Sequence, residues 1–297
     1  MAHRMKITVI QMEPGPRKDE NIAQAGRLIQ RAVTEDSPRL VVLPETWSCL
    51  GGDPGTRLAQ GEVLADSAVL GEAQRAQVKD IHLQSAAYDF LQRIAREHKI
   101  YLHGGSIGER VGDHLFNTTL VFSPEGREIA RYRKIHLFNA DTADGSGYCE
   151  SAEYGAGESI VTYKADDLIA GCAICYDLRF PELFLALRRA GAEVIVLPAA
   201  FTLQTGRDHW EPLLRARAIE TQCWIAASAT WGAHTEAGHS RATFGHSLIC
   251  DPWGHIVSSV SDGTGWATNY IDRRLTAQIR ARMPILSHRA AWETPAT

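Results

Sequence analysis

Short apolar runs alternate with segments of helical period along nearly the whole chain, and this alternation constrains the fold more than any other feature. Lys6 to Met12 reads as a strand rich in β-branched residues, and Ile22, Ala25, Ile29, Ala32 and Val33 recur behind it at helical spacing. Arg39 to Leu43 has the continuous apolar form of a strand covered on both faces, and Pro44 ends its pairing. Leu83, Ala87, Phe90, Leu91 and Ile94 mark a second helix, followed by a strand from Ile100 to Gly104.

Leu115 to Phe122, a Ser-Pro-Glu-Gly turn and Glu128 to Ile135 predict a hairpin. Residues 139–159, rich in Gly, Ser, Asp and Ala, predict a long loop, and a loop of that length in a compact domain is usually functional. Leu168 to Ile174 reads as a buried strand, Phe180, Leu183, Phe184, Leu187 and Ala190 as a helix, and Glu193 to Leu197 as a strand. Asp208 with Glu211 resembles a capping box for a helix through Gln222. Cys223 to Thr230, Gly245 to Cys250, Ile256 to Val260 and Trp266 to Ile271 read as further strands. Residues 55–80 read as a polar surface excursion, and no linker divides the chain, so one domain is expected over residues 1–297. The class is α/β. Two sheets with helices on their outer faces satisfy the pattern, and so does one doubly wound sheet.

Apolar content of 44% and a net charge of −4 fit a globular chain with no basic field for nucleic acid or a membrane surface. No run approaches the ~18 apolar residues that span a bilayer, and the N-terminal apolar run is too short for a signal peptide. A cytoplasmic protein is expected. Its six cysteines would then be reduced thiols, each open to a catalytic role.

Three polar clusters stand at strand ends, where α/β folds place their sites. In Leu43-Pro44-Glu45-Thr46-Trp47 a carboxylate follows four apolar residues. Desolvation would raise its pKa toward the range of a general base, although a strand-terminating glutamate that caps a helix fits equally. In Arg131 to Phe138, alternation puts Tyr132, Lys134 and His136 on one face. A lysine pointing inward needs an anionic partner; the plain alternative is a charged edge strand. In Gly171 to Glu182 a buried strand runs into a sharp turn at Cys175, where backbone N–H groups can face an oxyanion; the alternative is an inert buried thiol. Cys172 and Cys175 form a Cys-x-x-Cys pair, but Cys172 lies within the strand and the two face opposite sides, which disfavours a redox dithiol. Nothing completes a four-ligand zinc set, and no metal is expected.

Taken together and in order, the opening strand ending in Gln11, Leu-Pro-Glu, Arg-Lys-Ile-His-Leu-Phe and Cys-Tyr-Asp-Leu-Arg-Phe-Pro-Glu resemble the nitrilase, or carbon–nitrogen hydrolase, superfamily with its Glu–Lys–Cys signature. The family's second glutamate matches Glu150 in Tyr148-Cys149-Glu150-Ser151. The resemblance implies a four-layer αββα sandwich, assembly into a homodimer or larger homo-oligomer with the C-terminal segment (about 273–297) in subunit contacts, and no cofactor. Cys175-Tyr176-Asp177-Leu178-Arg179-Phe180-Pro181-Glu182 looks like the omega-amidase and deaminated-glutathione amidase branch. Residues 55–80, the loop Asn139 to Tyr148 and Thr46-Trp47 depart from that branch's pattern.

The implied chemistry makes Cys175 the nucleophile and Glu45 the general base. Lys134 and the Tyr176 backbone N–H stabilise the oxyanion, and Glu150 orients Lys134. The expected reaction releases ammonia from a small, carboxylate-bearing amide through a thioester. Arg207 is the candidate cation for that carboxylate, Trp47, Tyr176 and Phe201 are candidate walls, and Arg179 is expected to pair with Glu182 or another acid. An N-carbamoyl amide hydrolase, a nitrilase, a non-catalytic binding subunit and a dithiol oxidoreductase are the competing readings.

Overall fold

A computed structural model of the protein describes residues 4–64, 85–141, 147–236 and 238–290. The chain opens with β1 (Arg4–Gln11), α1 (Lys18–Asp36), β2 (Leu40–Val42), α2 (Pro54–Gln60), α3 (Ala86–His98) and β3 (Tyr101–His103). A meander of β4 (Ile107–Val111), β5 (His114–Phe122) and β6 (Glu128–Arg133) follows, then short β7 (Asn139–Asp141), β8 (Gly147–Cys149) and β9 (Tyr154–Gly155). The second half runs β10 (Thr162–Ala165), β11 (Leu168–Cys172), α4 (Pro181–Arg189), β12 (Val194–Ala199), α5 (Glu211–Thr221) and β13 (Trp224–Ala229). It ends with β14 (Trp231–Glu236), β15 (His239–Phe244), β16 (Leu248–Cys250), β17 (Ile256–Ser259), β18 (Gly265–Asp272) and α6 (Arg273–Arg282).

Two large sheets result. One has the order β18-β1-β2-β3-β5-β4, with β6 and β9 also on β5; the other has the order β10-β11-β12-β13-β16-β17. Side-chain alternation sorts each strand's residues between two cores. Ile7, Val9, Leu40 and Val42 of the first sheet pack with Ala170, Cys172, Val194 and Val196 of the second. The intervening Ile10, Val41 and Leu43 turn outward and pack under Ala25 and Ile29 of α1 and Phe90 and Leu91 of α3. Helices α4 and α5 cover the other sheet's outer face. The layers are therefore α, β, β, α. The alternative of one doubly wound sheet fails because the strands divide between these two separate sheets, β18 returning across the molecule to pair antiparallel with β1, Arg4 opposite Asp272 through Gln11 opposite Gly265.

The expected Asp208–Glu211 capping box is not formed. Helical backbone already begins at Leu203, where the Thr202 side chain accepts from Thr205 N, and continues through Gly206–Trp210 into α5. Asp208 thus sits inside a helical stretch, with no free helix start to cap. The β4 strand and the β14–β15 hairpin were not foreseen. The expected loop 139–159 contains the β7–β8 pair, a turn at Glu150–Ala152 and β9. Of the expected excursion at 55–80, α2 covers the start, and residues 65–84 lie outside the described residues, as do 142–146 and 291–297.

Helix α6 docks on its own chain: Arg273 pairs with Glu193 at 2.8 Å, and Thr276 Oγ1 accepts from Trp224 Nε1 at 3.0 Å. Among the described residues no helix is long and apolar enough to cross a membrane.

Candidate active site

In each sheet three adjacent strands run parallel, β1-β2-β3 and β11-β12-β13, and the polar groups gather beyond their C-terminal ends. Glu45 follows β2. Gly105, with φ +62°, lets the chain leaving β3 press against Pro44 beside it; a Cβ there would run into the Pro44 carbonyl. Lys134 follows β6 and is held by its backbone N–H to Asn117 O at 2.9 Å and by Gly157 N donating to its carbonyl at 2.8 Å. Cys175 follows β11 and opens a tight 3₁₀ turn with φ +44°. A left-handed non-glycine residue is costly and is retained only where the surroundings hold it, often at functional sites.

The structure brings these three together with Glu150. Lys134 Nζ donates to Glu45 Oε1 at 3.0 Å and to Glu150 at 3.0 Å (Oε1) and 2.8 Å (Oε2). Lys134 is 2% exposed and Glu45 4%, so the ammonium is stable there only because two carboxylates surround it. Burial by itself works against the charged lysine, but Glu150 and then Glu45 outweigh it, and its pKa stands well above the ordinary lysine range. Phe138 N donates to Glu150 Oε2 at 2.7 Å and fixes that carboxylate in turn.

Glu45 also faces the Cys175 sulfur. Burial, then the Glu45 carboxylate, push this thiol well above its ordinary range, while Lys134 and the Ala200 backbone N–H pull it the other way without reversing the direction. The resting sulfur is therefore a protonated thiol beside a carboxylate and an ammonium. Cys172 points away into the core between the sheets, fully buried, and no disulfide joins the pair. Among the described residues no group of three or more His, Cys, Asp or Glu side chains is arranged to hold a metal ion.

Glu45, Lys134, Glu150 and Cys175 lie on a cavity of about 380 Å³. Tyr176 and Phe201 line it as expected, Tyr176 edge-on to Phe138 at 5.0 Å and Phe201 against Trp210 at 5.0 Å. Two expected substrate-binding residues, the wall residue Trp47 and the candidate cation Arg207, do not. Trp47 is fully buried in the outer core, where its Nε1 donates to Gly104 O at 2.7 Å and its ring meets Phe90 at 5.6 Å. Thr46 takes a left-handed φ of +46°, a turn that directs the next side chain inward under α3. Arg207 is exposed on the helical stretch before α5 and does not line the cavity.

Arg179 does reach the cavity. Instead of pairing with Glu182, it meets His209 Nδ1 at 3.3 Å and lies over the Phe201 ring at 5.4 Å and the Tyr176 ring at 5.8 Å. Two further arginines line the cavity: Arg57, clamped by Glu153 at 2.8 Å and Glu236 at 2.9 Å, and Arg241, paired with Glu236 at 3.0 Å.

Sequence reading missed three further groups. Asn117 Nδ2 donates to Glu45 Oε1 at 2.8 Å and reaches Glu150 Oε1 at 3.3 Å, bridging the two acids. Its signal was available: a lone amide in a strand of apolar and β-branched residues, where Asn is disfavoured. Asp177 is fully buried behind the Cys175 turn. Ala200 brings a backbone N–H to the sulfur, and a backbone donor leaves no trace in residue type.

The carbon–nitrogen hydrolase family model matches residues 6–281. The deaminated glutathione amidase of Synechocystis sp. is 37% identical over 285 residues, covering 94% of this chain and 96% of the relative. The deaminated glutathione amidase of Homo sapiens is 35% identical over 291 residues, covering 95% of this chain and 81% of the relative. The solved structure of Saccharomyces cerevisiae Nit3, a member of branch 10 of the nitrilase superfamily, aligns with a TM-score of 0.80 at 28% identity over 95% of both chains. With its αββα layers and a family match spanning nearly its whole length, the chain belongs to the carbon–nitrogen hydrolase family.

Proposed function

We propose that this enzyme is a cysteine-dependent amidase acting on a small amide that carries a carboxylate. The observation that carries the proposal is the buried Lys134 ammonium, held between Glu45 and Glu150 on the floor of the cavity that also exposes Cys175.

The resting thiol is protonated, so attack requires proton removal, and Glu45 is the carboxylate beside it. As the sulfur bonds to the amide carbon, its proton passes to Glu45 and the carbonyl electrons move onto oxygen. Lys134 Nζ and the Tyr176 backbone N–H stabilise that oxyanion; losing one such donor costs roughly 10²–10³ in rate. The tetrahedral centre collapses, the C–N bond breaks, and Glu45 returns its proton to nitrogen. Ammonia leaves from a primary amide and an amine from a substituted one, and a Cys175 thioester remains. Water then gives a proton to Glu45 and adds to the thioester; the acid leaves and the thiol takes the proton back. Glu150 and Asn117 keep the Lys134 ammonium and Glu45 in line throughout.

Arg179 sets the substrate class. It borders the cavity beside Tyr176 and Phe201, and among the described residues its partners are a histidine nitrogen and aromatic rings rather than an acid. It is free to pair with an incoming carboxylate, in a cleft partly shielded from solvent where that bond is worth more than in water. Deaminated glutathione, the substrate in the names of the relatives from Synechocystis and human, is the carboxylate-bearing amide to try first. We place the enzyme in the cytoplasm, with its six cysteines as free thiols, and as a homodimer or larger homo-oligomer in which the segment of about 273–297 contributes contacts.

The test is mass spectrometry of the protein quenched after brief exposure to carboxylate-bearing amides. The expected result is an acyl adduct on Cys175, absent in a folded Cys175→Ala variant that has lost turnover. Near-normal turnover by that variant overturns the assignment.

A further inference from the structure

Asp177 has no place in the chemistry above, yet it is fully buried and saturated with donors. Its Oδ2 accepts from Tyr132 Oη at 2.7 Å and from Ile174 N at 2.8 Å. Its Oδ1 accepts from His136 N at 3.1 Å and meets His136 Nδ1 at 2.7 Å. The pattern of these partners along the chain is the informative part. Tyr132 and His136 bracket Lys134, two residues to either side. Ile174 precedes Cys175, and Asp177 N donates back to Ile174 O at 2.9 Å, closing the turn around it. One carboxylate therefore ties the segment that carries the ammonium to the turn that carries the sulfur.

Ring contacts also join the two segments, Phe138 to Tyr176 and His136 to Phe180, but Asp177 holds the residues on both sides of Lys134 and the residue before Cys175 at once. The Lys134 backbone is bonded to Asn117 and Gly157, and not to the Cys175 turn. The turn itself needs holding, because Cys175 sits in left-handed backbone. His136 is held on its other face by Phe180, stacked at 3.7 Å and 8° from parallel, so the Asp177 side of its ring is fixed as well.

We propose that Asp177 is a positioning residue that sets the placement of Cys175 relative to Lys134, with Tyr132 and His136 as the arms through which it acts on the lysine. The inference rests on the reading of Cys175 as nucleophile. It adds that the separation of nucleophile and oxyanion donor is governed from behind the site, by a residue that never meets substrate.

The experiment compares wild type, Asp177→Asn and Tyr132→Phe. Asp177→Asn keeps the shape but replaces an acceptor by a donor against at least one of its present donors. Tyr132→Phe removes a single hydroxyl and leaves the carboxylate in place. Each protein is assayed for kcat and KM on the amide, and for the rate of Cys175 alkylation by iodoacetamide as a function of pH. Misplacing reacting groups by about 1 Å costs on the order of 10²-fold in rate. Asp177→Asn should lower kcat by about that factor with KM nearly unchanged, and Tyr132→Phe should lower it less. The midpoint of the alkylation profile should move upward in both, because the thiolate is less well placed against the ammonium. Should Asp177→Asn fail to fold, the shift in Tyr132→Phe decides alone. Unmoved alkylation profiles, with activity tracking only the folded fraction, overturn the proposal and leave Asp177 as a plain turn anchor. Alkylation does not depend on amide turnover, so a shifted profile in a protein that hydrolyses no amide would sink the proposed function and spare this inference.

Discussion

Lys134 Nζ lies 2.8 Å from Glu150 Oε2, and the pair is nearly sealed, with side-chain exposures of 2% and 15%. A second acid, Glu45, shares the same ammonium at 3.0 Å. This arrangement holds two anions close together in a poorly solvated place, and the lysine is what makes it tolerable.

Lys134→Met should therefore cost stability as well as activity. Removing one partner of a buried ion cluster typically destabilises by about 3–5 kcal/mol, because the remaining charges are left uncompensated. Adding Glu45→Gln to Lys134→Met should recover part of that loss while activity stays absent. Urea denaturation of the two variants checks this. A double variant less stable than Lys134→Met alone would contradict it.

Arg179→Met tests recognition of the substrate carboxylate. A hydrogen bond to a charged group contributes about 1.5–3 kcal/mol, so kcat/KM for a carboxylate-bearing amide should fall by about 10–10²-fold. A neutral amide of the same length should be hydrolysed nearly as before. Arg207→Met should affect neither, since that side chain stands outside the cavity. Steady-state kinetics on the two amides separates these outcomes, and equal losses on both would reject Arg179 as the anchor.

Cys172→Ala should keep most activity. Its sulfur is sealed between the sheets, where burial drives the thiol far above its ordinary range and leaves no reactive thiolate at neutral pH. The expected change is a modest loss of stability, about 1 kcal/mol. A folded but inactive Cys172→Ala, or a Cys172–Cys175 disulfide after mild oxidation, would revive the dithiol reading.

His103 predicts an acid-side loss of stability. Its ring is fully buried at the end of β3, neither nitrogen has a partner among the described residues, and burial holds its pKa down to about 3. Above the unfolded value near 6.5 neither state binds the proton, and the residue adds no pH dependence. Between about 6.5 and about 3 only the unfolded chain binds it, so this group lowers stability by roughly 1.4 kcal/mol per unit as pH falls. His103→Leu should flatten that part of the profile. Urea midpoints at pH 7 and pH 5 for both proteins measure it, and identical slopes would refute it.

By itself the sequence determined the order of the central strands and helices, though not β4 or the β14–β15 hairpin, and singled out Glu45, Lys134 and Cys175. Alternation reports which side of a strand is buried, and the polar residues interrupting Leu43 to Glu45, Arg131 to His136 and Ile174 to Asp177 stand out against apolar neighbours, whereas Glu150 was nominated only by the family resemblance. Only the tertiary structure decided which sheet each strand joins, as with β18 returning to β1 instead of extending the sheet of β16 and β17. It also decided that Trp47 turns into the core, that Arg179 rather than Arg207 meets the cavity, and that Asn117 bonds Glu45, Asp177 bonds Tyr132 and the Ala200 N–H faces the Cys175 sulfur. The reason is common to all of them. Where a side chain or backbone donor ends up beyond a strand depends on the φ of one turn residue and on partners dozens of residues away, and neither is written in the spacing of nearby residues.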